Sequence, residues 1–311
     1  MAVALQLNPL SPRLQDGLAQ RLEVVRWFEL DERQRGALLK DRAPDVVAIV
    51  AGGHVKGPTQ LMQALPQLRI IAINGVGYDN VDLALARSRG VRVTTTPGTL
   101  TDDVADLAVG LIIALLRQIP AADAHVRSGA WPRGEQPLAR KVTGRRFGVL
   151  GLGHIGAAIA ARLAAFGPVA YSSRSEKPVP YAFHPDAAAL ARTSDVLIVA
   201  CSANASTRHL VNAEVLDALG PEGWLVNVSR GSVVDEAALI DALETGRLAG
   251  AALDVFEDEP NVPQALRASP KVVLTPHIAS ATVETRAAMA DLVLANLDAV
   301  LRGEEPPTSV A

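Results

Sequence analysis

A single cysteine, Cys201, is all that the chain contains. One thiol permits no disulfide framework, which points to a reducing compartment, and a cytoplasmic protein is expected. Cys201 follows the apolar run 196–200, so it reads as a structural thiol at a buried strand end rather than a nucleophile. Neither charge is in excess: 30 Lys and Arg face 33 Asp and Glu, a formal net charge of −3 with both signs scattered. The basic stripe of a nucleic-acid binder is missing, so no nucleic-acid partner is expected. No apolar stretch approaches the roughly 18 residues of a membrane span. Residues 1–9 lack the basic segment and the longer apolar run of a secretory signal. No membrane association and no metal site are expected. Short-period repeats and low-complexity segments are absent as well.

What is present is enough apolar sequence, 49% over 311 residues, for two buried cores and hence two domains. In the first third, apolar runs at 3–7, 24–27, 46–50, 70–74 and 91–94 read as strands. They alternate with helix-like segments such as 12–22 and 82–89, the pattern of a parallel sheet covered by helices. Ligands of such sheets sit beyond the carboxyl ends of the strands. Two glycine-containing loops lie there: Ala51-Gly52-Gly53-His54, and Gly75 through Val76 and Gly77 to Asn80. Small residues free backbone N–H groups to meet an anion, although plain turns would read the same. His54 is taken as a loop residue.

Pro97-Gly98 breaks the pattern, and domains at 1–97 with 281–311 and at 98–280 are expected. Thr101 then caps a helix with Asp102 and Asp103 in its first turn, favourable against the helix dipole. Its apolar face includes Val104, Leu107, Leu111 and Leu115, and it reads as one connecting helix running toward the loop 128–132. Trp131 in that loop reads as an exposed interface aromatic. A final helix from Thr282 to about Arg302 can return the chain to the first domain.

The stretch Phe147-Gly148-Val149-Leu150-Gly151-Leu152-Gly153-His154-Ile155-Gly156 organises the second half. It reads as a buried strand, a glycine turn and a helix opening at His154, followed at 169–171 by the next strand. Gly151, Gly153 and Gly156 fit the dinucleotide fingerprint: one permits the tight turn, one the approach of a pyrophosphate, one close helix–strand packing. The helix N-terminus would hold the phosphate charge. Where an NAD site places Asp or Glu after the second strand, this chain has Ser172, Ser173, Arg174 and Ser175, with Glu176 the first acid. A carboxylate would repel a 2′-phosphate, whereas Arg174 and the serine donors would bind it through charge-assisted hydrogen bonds. NADP(H) is therefore expected in preference to NAD(H).

Further strands at 195–200, 223–229, 251–255 and 272–275 deliver Arg230, Asp254, Glu259 and His277 to one sheet edge. Arg230 suits a substrate carboxylate, which a guanidinium grips bidentately. His277 suits proton transfer to a carbonyl oxygen, and Glu259 would favour its cationic form. Taken singly these are ordinary charges; as a set beyond a fingerprint they fit hydride transfer to a 2-oxo acid.

The fingerprint, then Val226-Asn227-Val228-Ser229-Arg230-Gly231, Asp254-Val255-Phe256-Glu257-Asp258-Glu259-Pro260 and Pro276-His277 resemble the D-isomer-specific 2-hydroxyacid dehydrogenases over nearly the whole chain. The resemblance implies an α/β fold with two Rossmann-like domains: a flavodoxin-like substrate domain and a dinucleotide-binding domain, with a cleft between. It implies a catalytic triad of Arg230, Glu259 and His277. It puts Asp254 near the nicotinamide amide and Val104 beside the ring. Leu152, His154, Ile155, Thr207, Val228, Ser229 and Arg230 join the glycines, Ser173, Arg174 and Ser175 as cofactor contacts. Substrate contacts are implied at Gly52, Gly53, Val76, Gly77, Arg230 and His277. His154 replaces a common arginine, which weakens a pyrophosphate contact without removing it. Thr101 to Leu107, Ser173-Arg174-Ser175 and Val283-Glu284-Thr285-Arg286 resemble more narrowly the NADPH-dependent hydroxyphenylpyruvate and glyoxylate/hydroxypyruvate reductase branch, whose members are dimers. A homodimer reducing a small 2-oxo acid is thus implied. The alternatives are an NAD-linked dehydrogenase of D-lactate or phosphoglycerate type and a dinucleotide-sensing corepressor. A nucleoside hydrolase is disfavoured, since nothing resembles an adenosine pocket.

Overall fold

The computed structural model describes residues 2–311. The chain forms two compact units, one holding residues up to Leu100 together with Ala281–Ala311, the other Thr101–Ser280.

In the first unit five strands run parallel: β1 (Val3–Gln6), β2 (Glu23–Arg26), β3 (Val46–Gly52), β4 (Ile70–Asn74) and β5 (Arg92–Thr94), in the order β2-β1-β3-β4-β5. Successive residues of β4 serve opposite faces, as strand geometry requires: Ile71 and Ile73 join one core with Met62 and Leu65. Ile70 and Ala72 join the other, with Leu14, Leu18, Val293 and Leu297. The last two belong to the closing helix Val283–Arg302, capped by the Thr282 side chain on the Thr285 N–H. Two bidentate ion pairs, Arg13–Asp291 and Arg21–Asp298, tie that helix to Pro12–Ala19 and to the turn that follows it. The final residues extend the sheet, Ser309 bridging antiparallel to Thr94.

The second unit carries seven parallel strands: β6 (Phe147–Leu150), β7 (Val169–Ser172), β8 (Ala182–His184), β9 (Val196–Val199), β10 (Trp224–Asn227), β11 (Gly250–Leu253) and β12 (Val272–Leu274). Their order is β12-β11-β10-β9-β6-β7-β8, so chain direction across the sheet reverses between β6 and β9. In doubly wound sheets that switch point is where the ligand crevice opens, and the glycine turn leaves β6 directly into it.

Two expectations are corrected. The helix from Thr101 is not one element: Thr101–Leu116 ends, Gln118 takes φ 53°, and Ile119–Arg127 begins anew. Pro120, lacking an N–H and crowding the residue before it, forces the break. Strand β8 is an addition to the expected set, a three-residue edge strand hemmed by Pro180 and Pro185. No single helix among the described residues is long and apolar enough to cross a membrane.

Candidate active site

The glycine turn shows why each glycine is needed. Gly151 has φ +98°, and a Cβ there would meet the Cys201 Cα at 2.5 Å. A Cβ on Gly156 would lie 1.9 Å from the Gly151 carbonyl oxygen. Gly153 differs: a Cβ there would meet nothing within 4 Å. Protein packing therefore dictates the first and third glycines, while the second faces open space. Gly153 also caps the helix His154–Leu163 without a side-chain hydrogen bond, whereas Asp186, Asn212 and Asp235 cap other helices of this unit with their side chains. The N–H groups of that first turn lack an intrahelical partner, and the helix dipole adds partial positive charge. A pyrophosphate fits this cradle, with His154 exposed, Ile155 half-buried and Leu152 buried.

The Cys201 backbone and Cβ lie against that turn, and burial pushes the thiol pKa up to about 11, which makes it a poor nucleophile. Beyond β7 the chain folds into a closed loop. The buried Tyr171 hydroxyl accepts the Lys177 N–H at 2.7 Å, and the Ser173 hydroxyl donates to the Ser175 carbonyl at 2.6 Å. The Lys177 ammonium donates to the Leu152 carbonyl of the glycine turn. Arg174 and Ser175 are exposed, and Arg174 makes no ion pair or hydrogen bond among the described residues. Lys177 carries no local signal of this role; only the fold brings it to Leu152.

At the end of β10, Asn227 is 1% exposed and shapes the turn that presents Arg230. Its Oδ1 accepts the Ser229 N–H at 3.0 Å, and its Nδ2 donates to the Arg230 carbonyl at 3.0 Å. Val228 is buried, and Arg230 Nη1 donates to the Ser229 carbonyl at 2.8 Å. Gly231 then packs so tightly that a Cβ would sit 1.9 Å from the Phe256 carbonyl carbon. Thr207 is half-buried and spends its hydroxyl within its own loop, donating to the Ser202 carbonyl at 2.9 Å. Val104 is buried on Thr101–Leu116 at 4% exposure.

The Phe256 N–H in turn donates to Glu259 Oε1 at 3.1 Å, and Glu259 Oε2 meets His277 Nδ1 at 2.8 Å. Contact thus runs unbroken from the Arg230–Gly231 turn through the 256–259 loop to His277. The His277 backbone is left-handed, φ 53°, fixed by its N–H donating to the Asp254 carbonyl at 2.8 Å. Asp254 is fully buried, and its carboxylate accepts the Thr275 hydroxyl at 2.7 Å and the Ile278 and Ala279 N–H groups at 2.8 and 3.0 Å. Burial pushes this carboxyl up, while those donors and His277 pull it back. Both carboxylate oxygens therefore brace the loop that carries His277. With Nδ1 committed to Glu259, Nε2 is the nitrogen through which this ring could exchange a proton.

In the first unit, Gly52 ends β3 in register with Asn74 at the end of β4, and its N–H donates to Asn8 Oδ1 at 2.8 Å. The Asn80 side chain donates to the Gly53 carbonyl at 3.4 Å, which draws the loop holding Val76 and Gly77 alongside Gly52 and Gly53. Asn8, Asn80 and Asn227 are invisible to a reading of the sequence, because an isolated amide in a strand-end loop carries no periodic signal.

The profile of the D-isomer specific 2-hydroxyacid dehydrogenase NAD binding domain matches residues 109–279. Glyoxylate/hydroxypyruvate reductase A of Arabidopsis thaliana is 47% identical over 308 residues, 98% of either chain. Hydroxyphenylpyruvate reductase of Plectranthus scutellarioides is 47% identical over 309 residues, again 98% of either chain. Among solved structures, the NADPH-dependent glyoxylate/hydroxypyruvate reductase of Sinorhizobium meliloti in complex with NADP and malonate superposes with a TM-score of 0.93. It shares 47% identity and covers 100% of this chain and 97% of its own. Parallel sheets of five and seven strands, the glycine turn and this degree of identity agree: the chain belongs to the D-isomer specific 2-hydroxyacid dehydrogenase family.

Proposed function

We propose that this protein is an NADPH-dependent reductase of small 2-oxo acids, with glyoxylate and hydroxypyruvate the leading substrates and D-2-hydroxy acids the products. The observation that carries the reading is the Glu259–His277 pair at 2.8 Å, on a loop packed against the turn that presents Arg230. Relatives named for these two substrates, at 47% identity over nearly the whole chain, support it. Arg230 grips the substrate carboxylate; within the first unit the backbone N–H groups of Gly53, Val76 and Gly77 are the candidate anion donors, the Gly52 N–H being spent on Asn8. His277 donates a proton from Nε2 to the carbonyl oxygen, and Glu259 holds the ring so that Nε2 faces the substrate. Asp254 keeps the His277 backbone in place. When bound, the dinucleotide supplies the hydride that reduces C2. Its pyrophosphate would lie on the turn from Gly151 to Gly156, and its adenosine end beside Ser173, Arg174 and Ser175. The NAD-linked alternative is not favoured, since no Asp or Glu stands at 172–175.

The test is a panel of glyoxylate, hydroxypyruvate, pyruvate and hydroxyphenylpyruvate, assayed with NADPH and with NADH. Arg174→Ala is expected to raise KM for NADPH roughly 10- to 100-fold, the worth of a charged hydrogen bond, and to leave NADH almost unaffected. Equal losses for both cofactors would remove Arg174 from the phosphate. Turnover of none of the four acids would end the reductase reading.

The same reading includes a cytoplasmic location and a homodimer. Ile119, Val126, Trp131 and Leu138 are 48%, 55%, 63% and 97% exposed within one continuous segment, an apolar surface suited to a second copy of this chain. Sedimentation equilibrium is expected to give twice the chain mass, with Leu138→Asp shifted toward monomer. A wild-type monomer at micromolar concentration would refute the dimer.

A further inference from the structure

Two histidines of the second unit adopt left-handed backbone conformations, His209 at φ 49° and His277 at φ 53°. Both meet carboxylates of the same short acidic loop. His277 takes Glu259, and His209 Nε2 lies 2.8 Å from Glu257 Oε1. We propose that His209 and Glu257 form a positioning pair, which fixes the Phe256–Glu257 peptide and through it the Glu259 carboxylate that orients His277. The proposal rests on the Glu259–His277 reading given above.

The contacts close a ring. The His209 N–H donates to the Ser232 carbonyl at 2.9 Å, and Val211 bridges to Val234, so this segment is stitched to the turn after Arg230. Its side chain reaches Glu257, whose peptide bears on Gly231 at the other end of the same turn. Glu257 is held from three directions: by His209, by Arg208 Nη2 at 2.9 Å, and through its own N–H by Glu236 Oε2 at 3.3 Å. Asp235 lies 4.0 Å from the other His209 nitrogen. The Phe256 N–H, one peptide away, is the donor that holds Glu259 Oε1. A turn needing only positive φ would be met at least cost by glycine; a non-glycine residue there costs about 1–2 kcal/mol. An imidazole in that conformation is explained by what its ring does, which is to tie Glu257 down.

Steady-state kinetics of the full-length protein with NADPH and glyoxylate test this. His209→Ala is expected to lower kcat about tenfold, the cost of a small misplacement of a catalytic group, with both KM values within about twofold of wild type. His209→Gln, which can return an N–H to Glu257, is expected to recover most of the loss. On a Glu259→Gln background His209→Ala should cost nothing further, since the pair acts only through Glu259. Should His209→Ala fail to fold, Glu257→Gln carries the same cycle. Additive losses on an impaired Glu259→Gln background, a defect confined to KM, or no recovery by His209→Gln would overturn the proposal alone. Full kcat in Glu259→Gln itself would overturn the dyad reading and the proposal with it.

Discussion

His277→Ala is expected to lose roughly 10²- to 10⁴-fold in kcat, the usual worth of positioned proton transfer, while NADPH still binds. The reason lies in how His277 is held. Its backbone is fixed by its N–H on the Asp254 carbonyl, and its ring by Nδ1 on Glu259 at 2.8 Å. Truncation removes the ring and leaves the backbone bond, so the loop keeps its path. Asp254 still holds the Thr275 hydroxyl and the Ile278 and Ala279 N–H groups. Alanine at φ 53° costs about 1–2 kcal/mol, and His277→Asn, which tolerates that conformation better, separates this cost from the chemistry. Both variants should quench or enhance NADPH fluorescence at close to the wild-type concentration and both should turn over slowly. Wild-type kcat in either one would remove His277 from proton transfer.

The glycine turn, Arg230, Asp254 and His277 are legible in the sequence because each closely follows a parallel strand, and Glu259 because it lies in the loop that leaves β11. The buried strands of the sheet read as apolar runs, Val196–Val199 and 224–226 among them, and the residues just after a run are by geometry at the ligand edge. The residues that hold this set are not legible. Asn227, three residues before Arg230, is an isolated amide with no periodic signal; Lys177 reaches the Leu152 carbonyl across 25 positions, and His209 reaches Glu257 across 48. A contact between residues so far apart leaves no local pattern; only the completed sheet brings them within reach.

Element boundaries obey the same logic. Ile70–Asn74 and Phe147–Leu150 coincide with the expected strands because burial on both faces keeps 70–73 and 147–150 apolar, with the half-buried Asn74 marking the end of the first. The helix Val283–Arg302 is legible at its start through the Thr282 cap and at its end through Gly303 in the left-handed conformation. Strand β8 is hidden since only three residues pair, on one side, between prolines. The break at Gln118 is hidden because Leu115, Leu116 and Ile119 keep the chain apolar across it, and the pattern outweighs Pro120.

Gly156→Ala is expected to lower the melting temperature of this unit by roughly 5–10 °C. The size comes from a net cost of about 2–3 kcal/mol, overpacking less the gain in helix propensity, at roughly 2–4 °C per kcal/mol for a domain of this length. The added Cβ would lie 1.9 Å from the Gly151 carbonyl oxygen, a backbone atom that no rotamer change can move aside. Relief requires the helix His154–Leu163 to lift from β6. Alanine gains about 1 kcal/mol in helix propensity over glycine, which offsets only part of the overpacking. Gly153→Ala is the contrasting variant. Its Cβ meets nothing within 4 Å and its φ of −77° suits any residue, so its melting temperature should match wild type. It fills the space a pyrophosphate would occupy, so NADPH and NADH should both bind at least about tenfold more weakly, the usual consequence of blocking a backbone phosphate cradle. Calorimetry beside a dinucleotide titration separates the two. If Gly153→Ala bound both dinucleotides as wild type does, the open face of the turn would not be the phosphate site. If Gly156→Ala melted no lower than wild type, the helix would have room to move, and close packing would not be what the third glycine secures.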